Sequence, residues 1–132
     1  MLPPDPEQAR KYDERARDKP AVFTREVQRI LIRVAADFCA RRKLRLHAVG
    51  SDPSHIHYVI SWHGYSAWKE ILRRLKNILS LELNRKLDCP RPWFVRGANS
   101  KPVRNGDHLR YLTITYLPDH PGMFWCEGQP LP

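Results

Sequence analysis

The stretch Ser51-Asp52-Pro53-Ser54-His55-Ile56-His57-Tyr58-Val59-Ile60-Ser61-Trp62-His63 decides the fold. From His55 onward it alternates strictly. Ile56, Tyr58, Ile60 and Trp62 fall on one side, and His55, His57, Val59, Ser61 and His63 on the other. That period of two marks a half-buried β-strand. Ser51-Asp52-Pro53-Ser54 ahead of it has the composition of a turn. Upstream, Leu44 to Gly50 reads as a shorter strand, with Leu44, Leu46 and Ala48 against Arg45 and His47. Strand, short turn and strand predict an antiparallel hairpin.

Helical patterns flank the hairpin. From Thr24 to Arg42, the residues Val27, Ile30, Leu31, Val34 and Phe38 recur at the spacing of one buried helix face. Thr24 suits the N-cap, and Arg41, Arg42 and Lys43 suit the negative end of the helix dipole. A second helix is expected from Ser66 to Leu87, with Trp68, Ile71, Leu72, Leu75, Ile78, Leu79 and Leu83 as its stripe. Cys89-Pro90-Arg91-Pro92 stops it. Trp93-Phe94-Val95 is strand-like, and Arg96 to Lys101 reads as a basic loop. Asn105 or Asp107 can cap a last short helix through about Leu117, which Pro118 ends or kinks. The segment from Asp119 to Pro132 shows no period.

Helix, strand, strand, helix, strand, helix predicts an α+β fold with helices on one face of an antiparallel sheet, ferredoxin-like in outline. Residues 1–20 carry four prolines and read as a frayed, charged arm, 21–126 as the folded domain and 127–132 as a tail. A ferredoxin-like sheet normally has its first strand at the centre. Met1 to Phe23 shows no apolar alternation, so that strand is expected to be missing or degenerate.

The composition narrows the function. Lysine plus arginine outnumber aspartate plus glutamate 23 to 14, a net charge of +9 over 132 residues. A surplus that large favours a polyanionic partner, most often nucleic acid. An apolar content of 42% with four tryptophans argues against a disordered basic tail. No apolar run approaches the roughly 18 residues that span a bilayer. Met1-Leu2-Pro3-Pro4-Asp5-Pro6 resembles no signal peptide. Cys39, Cys89 and Cys126 are odd in number and far apart, which argues against a disulfide framework and a thiolate zinc site. A reduced cytoplasm is the expected compartment.

His55-Ile56-His57 is the sharpest chemical signal. Residues i and i+2 of a strand share a face, so two parallel imidazoles there make half a site for a divalent metal. Two histidines decorating a polar strand face compete with that reading. The last helix offers Tyr111 and Tyr116. His120 follows Tyr116 at i+4, a helical neighbour if winding persists past Pro118. Thr115 follows Tyr111 at the same offset and is a poorer ligand. Core packing with the hydroxyl at the surface competes for each tyrosine. Trp62, Trp93 and Trp125 are candidates for base stacking, with core packing the stronger reading for Trp62 and Trp93.

At this point the sequence resembles the single-tyrosine HUH transposases of small insertion sequences, the REP-associated tyrosine transposases in particular. Ser51 to Ile60 is similar to that family's His-hydrophobic-His strand entered through a polar turn. Arg74-Leu75-Lys76 followed by Ser80 is similar to its leucine-lysine helix. Trp93-Phe94-Val95-Arg96-Gly97 is similar to its tryptophan-to-glycine segment, and the tyrosine helix closes the domain. The resemblance covers residues 20 to 126. It implies an enzyme that cuts and rejoins single-stranded DNA at hairpin-bearing ends through a covalent 5′-phosphotyrosine. It implies His55 and His57 as ligands of Mg²⁺ or Mn²⁺, His120 as a third ligand, and Tyr116 or Tyr111 as nucleophile, the i+4 ligand favouring Tyr116. It further implies a homodimer. Lys69, Arg73, Lys76, Arg96, Lys101 and Arg104 are candidates for DNA phosphate contacts, near the histidine face. Two rival readings stay open. One is a truncated, inactive relative that binds structured single strands without cutting. The other is a metal-dependent nuclease with water as nucleophile, which leaves free 5′ ends.

Overall fold

The computed structural model describes residues 10–15, 22–64, 67–87, 93–94, 99–119 and 121–132, with 10–15 and 99–101 as backbone. In chain order it contains β1 (Arg10–Arg15), α1 (Arg25–Arg41), β2 (Arg45–Ser51), β3 (His55–Ser61), α2 (Trp68–Leu87), β4 (Asn99–Pro102), α3 (Gly106–Tyr111) and β5 (Phe124–Cys126). The strands form one antiparallel sheet in the order β4-β1-β3-β2-β5.

The hairpin forms as its alternation predicts. β2 and β3 pair in register from Arg45↔Ser61 to Ser51↔Ile56, with a bulge between Leu46 and Ala48. The bulge turns Ala48 to the Val59 side and leaves Leu46 and Val49 with Ile56, Tyr58 and Ile60. Onto that apolar side pack α1, through Val27, Leu31, Ile32, Ala35 and Phe38, and α2, through Ile71, Leu72, Leu75, Leu79 and Leu83. The Thr24 hydroxyl caps α1, accepting from the Val27 amide at 3.2 Å. Inside this core the Tyr58 hydroxyl donates to the Leu31 carbonyl at 3.3 Å. Trp62, Trp93 and Trp125 are all buried, at 6%, 5% and 8% exposure, which removes them as stacking platforms.

The structure corrects three expectations. The first strand exists. Arg10–Arg15 lies between β3 and β4, pairing Arg10↔Ile60 through Arg15↔His55 on one side and Arg10↔Pro102 through Asp13↔Asn99 on the other. Its sequence, Arg-Lys-Tyr-Asp-Glu-Arg, shows no apolar alternation. Backbone pairing on both edges places it where side-chain pattern gives no signal. The rest of the expected arm lies outside the described residues.

The sheet is also longer than expected. Within the expected basic loop, Asn99–Pro102 forms β4, while Phe94 makes an isolated bridge and Val95 lies outside the described residues. Phe124–Cys126, in the stretch without a period, pairs with β2 as β5.

Finally, the helices do not all share one face. α1 and α2 cover the first. α3 and the turn after it cover the second, where Leu112 and Leu117 pack on Ala48, Val59 and Val103. That is the face of His55 and His57. The helix stop expected at Cys89-Pro90-Arg91-Pro92 lies outside the described residues.

Candidate active site

β3 supplies the histidines. The rings of His55 and His57 stand 6.2 Å apart between centroids and 3° from parallel, as i, i+2 neighbours on a strand face should. His57 is buried at 6% exposure, and His55 is half-buried.

The turn before β3 fixes His55. The Asp52 Oδ1 accepts from the amides of Ser54 at 2.8 Å and His55 at 2.7 Å, and from the Ser54 hydroxyl at 3.2 Å. This side-chain turn is why Asp sits at that position. Burial raises the Asp52 carboxyl, but the amides of Ser54 and His55, the His55 ring and the Ser54 hydroxyl outweigh it and hold the group below its ordinary value. The Ser54 hydroxyl and His55 Nδ1 are 2.6 Å apart, and Asp52 Oδ1 is 3.4 Å from the same nitrogen. With Nδ1 engaged, Nε2 is the nitrogen left for a ligand, which is how outer partners orient metal-binding imidazoles.

The last helix supplies the tyrosines, and its winding decides how. Asn105 caps α3, accepting from the His108 amide at 2.9 Å. From Leu112 to Tyr116 the chain then widens into one π-helical turn, closed by the Leu117 amide on the Leu112 carbonyl at 2.9 Å. The sequence explains the widening. Thr113, Ile114 and Thr115 are consecutive β-branched residues, which crowd an α-helix. The Thr113 hydroxyl donates to the Leu109 carbonyl at 2.9 Å, a contact that bends helices. Pro118 has no amide for the Ile114 carbonyl.

In an α-helix, residues five apart point about 140° from each other. A π turn brings i and i+5 back to one side. Tyr111 and Tyr116 therefore share a face, with ring centroids 6.2 Å apart and planes tilted by 34°. Tyr116 meets His57 edge-on, centroid to centroid 6.0 Å, at 73°. The row runs His55, His57, Tyr116, Tyr111, from the sheet outward. Tyr111 is 52% exposed.

Close contact with the sheet sets the height of this row. Gly50 pairs with His57 across the hairpin. A Cβ at Gly50 would stand 3.0 Å from both the Cβ and the carbonyl oxygen of Leu117. The glycine leaves the space into which Leu117 seats, beside His57. Beyond the tyrosines the chain is drawn back by a buried polar cluster. The Ser51 hydroxyl donates to Gln28 Oε1 at 2.5 Å, and the Met123 amide reaches that same oxygen at 3.0 Å. The Gln28 amide nitrogen donates to the Phe23 carbonyl at 2.8 Å. Gly122 passes so close that an added Cβ would stand 2.0 Å from the Ser51 carbonyl oxygen. None of this clamp was legible in the sequence, because Gln28, Ser51 and Met123 are far apart along it.

The remaining candidates separate. Lys69, Arg73 and Lys76 lie on α2, which packs against the sheet face opposite the histidines. They do not converge on the histidine–tyrosine row, contrary to the expectation that they lie near it. Arg73 pairs with Glu70 at 2.6 Å, and the two arginines 73 and 74 hold the exposed Glu70 carboxyl down at about 2. Arg104 lies at the entry to α3, lining a recess with Pro102, Asn105 and His108. His120, Arg96 and the side chain of Lys101 lie outside the described residues. Among the described residues no three His, Cys, Asp or Glu side chains group as a metal site. The two imidazoles fit one side of such a site, with nitrogen donors suited to first-row divalent ions.

A further buried histidine, paired with a serine, sits elsewhere. His47 Nε2 and the Ser61 hydroxyl are 2.6 Å apart and buried. Burial and the neighbouring Arg45 lower His47 to about 4, against a smaller pull upward from Glu127, so its ring is neutral at neutral pH.

Comparison with known proteins gives the family and the fold. A family model described as "Transposase IS200 like" matches residues 15–97, which takes in the histidine strand and ends before α3. A solved structure of a REP-associated tyrosine transposase bound to a REP hairpin superposes with a TM-score of 0.62 at 12% identity. It covers 84% of this chain, which spans 65% of that one. A transposase-designated protein of Deinococcus radiodurans R1 superposes with a TM-score of 0.65 at 14% identity, covering 83% of this chain and 88% of its own. No curated protein matches. At these identities the superpositions show a shared fold.

Proposed function

Because the chain belongs to the IS200-like transposase family, we propose that it cuts and rejoins single-stranded DNA. Tyr116 is the nucleophile, and His55 and His57 are two ligands of Mg²⁺ or Mn²⁺. The Tyr116 ring against His57, at 6.0 Å between centroids, carries the reading. It supports Tyr116 over Tyr111, whose ring lies one step farther out. The hairpin-bound relative supports a hairpin-bearing substrate.

In the cutting step the Tyr116 hydroxyl oxygen bonds to the scissile phosphorus and its proton is lost. The bond to the 3′ oxygen breaks, and that oxygen takes up a proton. The products are a 5′-phosphotyrosine and a free 3′ hydroxyl. Rejoining is the reverse, with a 3′ hydroxyl attacking the same phosphorus and Tyr116 leaving, so no outside energy source is needed. A divalent ion, when bound, draws charge from the phosphate oxygens. The Asp52–Ser54 turn holds His55 ready with Nε2 free for it, and Leu117 on Gly50 holds Tyr116 beside His57. A homodimer formed by such chains needs no exchange of tyrosine helices, since His57 and Tyr116 meet within one chain.

The test is a 3′-labelled single strand flanked by a hairpin, incubated with Mn²⁺ and run under denaturing conditions. The parent protein carries the label covalently. Tyr116→Phe and His57→Ala carry none, and Tyr111→Phe retains an adduct. An adduct that survives Tyr116→Phe overturns the nucleophile, and one that survives His57→Ala overturns the histidine role. Free 5′ ends without adduct select a nuclease that uses water.

A further inference from the structure

The outer end of the tyrosine row borders a shallow pocket lined by Tyr111, Thr115, Tyr116, Asp119 and Pro121. The nucleophile reading leaves Tyr111, Thr115 and Asp119 without a part. We propose that this pocket holds one unpaired nucleobase of the DNA strand beside the scissile phosphate, stacked on Tyr111 and hydrogen-bonded to Asp119, with guanine the best fit. The proposal rests on Tyr116 marking where the strand is cut.

Three features choose a base over other parts of a strand. The Tyr111 ring is 52% exposed, beside Tyr116, and an exposed aromatic face is what unpaired bases stack on. Asp119 rejects a phosphate there, because two anions repel at short range. Its carboxylate instead accepts from N–H groups on a base edge. Guanine presents two such donors side by side, N1–H and the 2-amino group, matched to two carboxylate oxygens. Adenine and cytosine present one amino group. Thymine presents a single N–H between two carbonyl oxygens that the carboxylate repels. The neighbouring charge suits the strand that carries the base, since Arg110, next to Tyr111 on α3, and Arg104, at the entry to α3, are exposed.

The test separates binding from chemistry. The full chain carrying Tyr116→Phe is titrated, in EDTA, with fluorescent dodecathymidylate and with the same oligomer bearing one central dG. This background binds the dG oligomer about tenfold tighter. Adding Asp119→Ala removes that preference and does not weaken binding of the thymidylate. Adding Tyr111→Ala weakens both about tenfold, and Tyr111→Phe restores them within about twofold, since the ring and not the hydroxyl stacks. Both side chains are exposed, and thermal melts confirm that each variant stays folded. A dG preference that persists without Asp119, or affinity that persists without the Tyr111 ring, overturns the pocket. Neither metal nor the Tyr116 hydroxyl takes part, so this result stands apart from the adduct assay. A missing adduct leaves the pocket intact, and a failed pocket leaves the nucleophile intact.

Discussion

At the residue scale, the site depends on side chains that hold other side chains. Asp52 gathers two amides and the Ser54 hydroxyl, and through them sets the His55 ring. Removing it leaves β3 intact and frees the ring. Asp52→Ala should weaken Mn²⁺ binding about 10- to 100-fold, as loss of an outer partner does. Calorimetric titration checks this, with Asp107→Ala, exposed and away from the turn, binding as the parent does. His47 gives a pH signature. Its ordinary value is 6.5 and the fold holds it at about 4, so the folded form is the one that stays neutral. As pH falls below 6.5 the unfolded chain takes a proton that the folded chain refuses. Melting temperature should therefore fall from about pH 6.5 to about pH 4 and lose nothing further from this group below that. His47→Gln should flatten that part of the profile in a pH series of thermal melts. A profile that keeps its slope without His47 assigns it to another group.

At the element scale, the π-helical turn is the decisive feature. Its causes are in the sequence, in Thr113-Ile114-Thr115 followed by Pro118, yet periodicity alone offers only an α-helix with Tyr111 and Tyr116 on different sides. The turn aligns them, and Leu117 on Gly50 sets their depth. Gly50→Ala should therefore act on Tyr116 from a strand that bears no catalytic group. The new Cβ meets Leu117 at 3.0 Å, backbone included, so the segment must lift. The expected outcome is adduct formation slowed by about 10- to 100-fold, since small displacements of a positioned nucleophile cost rates of that order. Stability should fall by about 1–3 kcal/mol, the usual range for overpacking. Denaturant melts and adduct time courses measure the two effects separately. A loss of stability at full adduct rate shows that Leu117 does not set the tyrosine. Much of the rest was legible. Thr24 to Arg42 and Ser66 to Leu87 gave their helices to within a few residues because their apolar stripes carry a clear period. β1, β4 and β5 were not legible, because short strands held by backbone pairing on a sheet edge, or between two neighbours, need no alternation of their own.

At the scale of the whole molecule, the sheet separates two functions. One face carries α1 and α2 and the apolar core, with the basic residues of α2 outside them. The other carries the histidines, the tyrosines and Arg104. β1, between β3 and β4, fills the place where the sequence shows no strand pattern. It leaves the histidine pair flanked by strands on both sides, β1 and β2. Tyr116 and His57 belong to one chain, and the clamp of Gln28, Ser51 and Met123 tethers the segment beyond the tyrosines. An equal mixture of His57→Ala and Tyr116→Phe should therefore form no adduct. Adduct recovered in the mixture would show that tyrosine helices exchange between subunits.

The sequence by itself determined the hairpin, both long helices, the histidine face and the candidates for the nucleophile, because each is encoded in spacing along a short stretch. It also carried the family resemblance, since the His-Ile-His strand and its polar turn are local. Only the tertiary structure decided which tyrosine meets His57, on which face the last helix lies, and what fills the first strand's place. Those outcomes depend on contacts between residues far apart in the chain, Gly50 with Leu117, Gln28 with Met123, β1 with β3 and β4. Spacing along one strand or helix carries no record of such contacts.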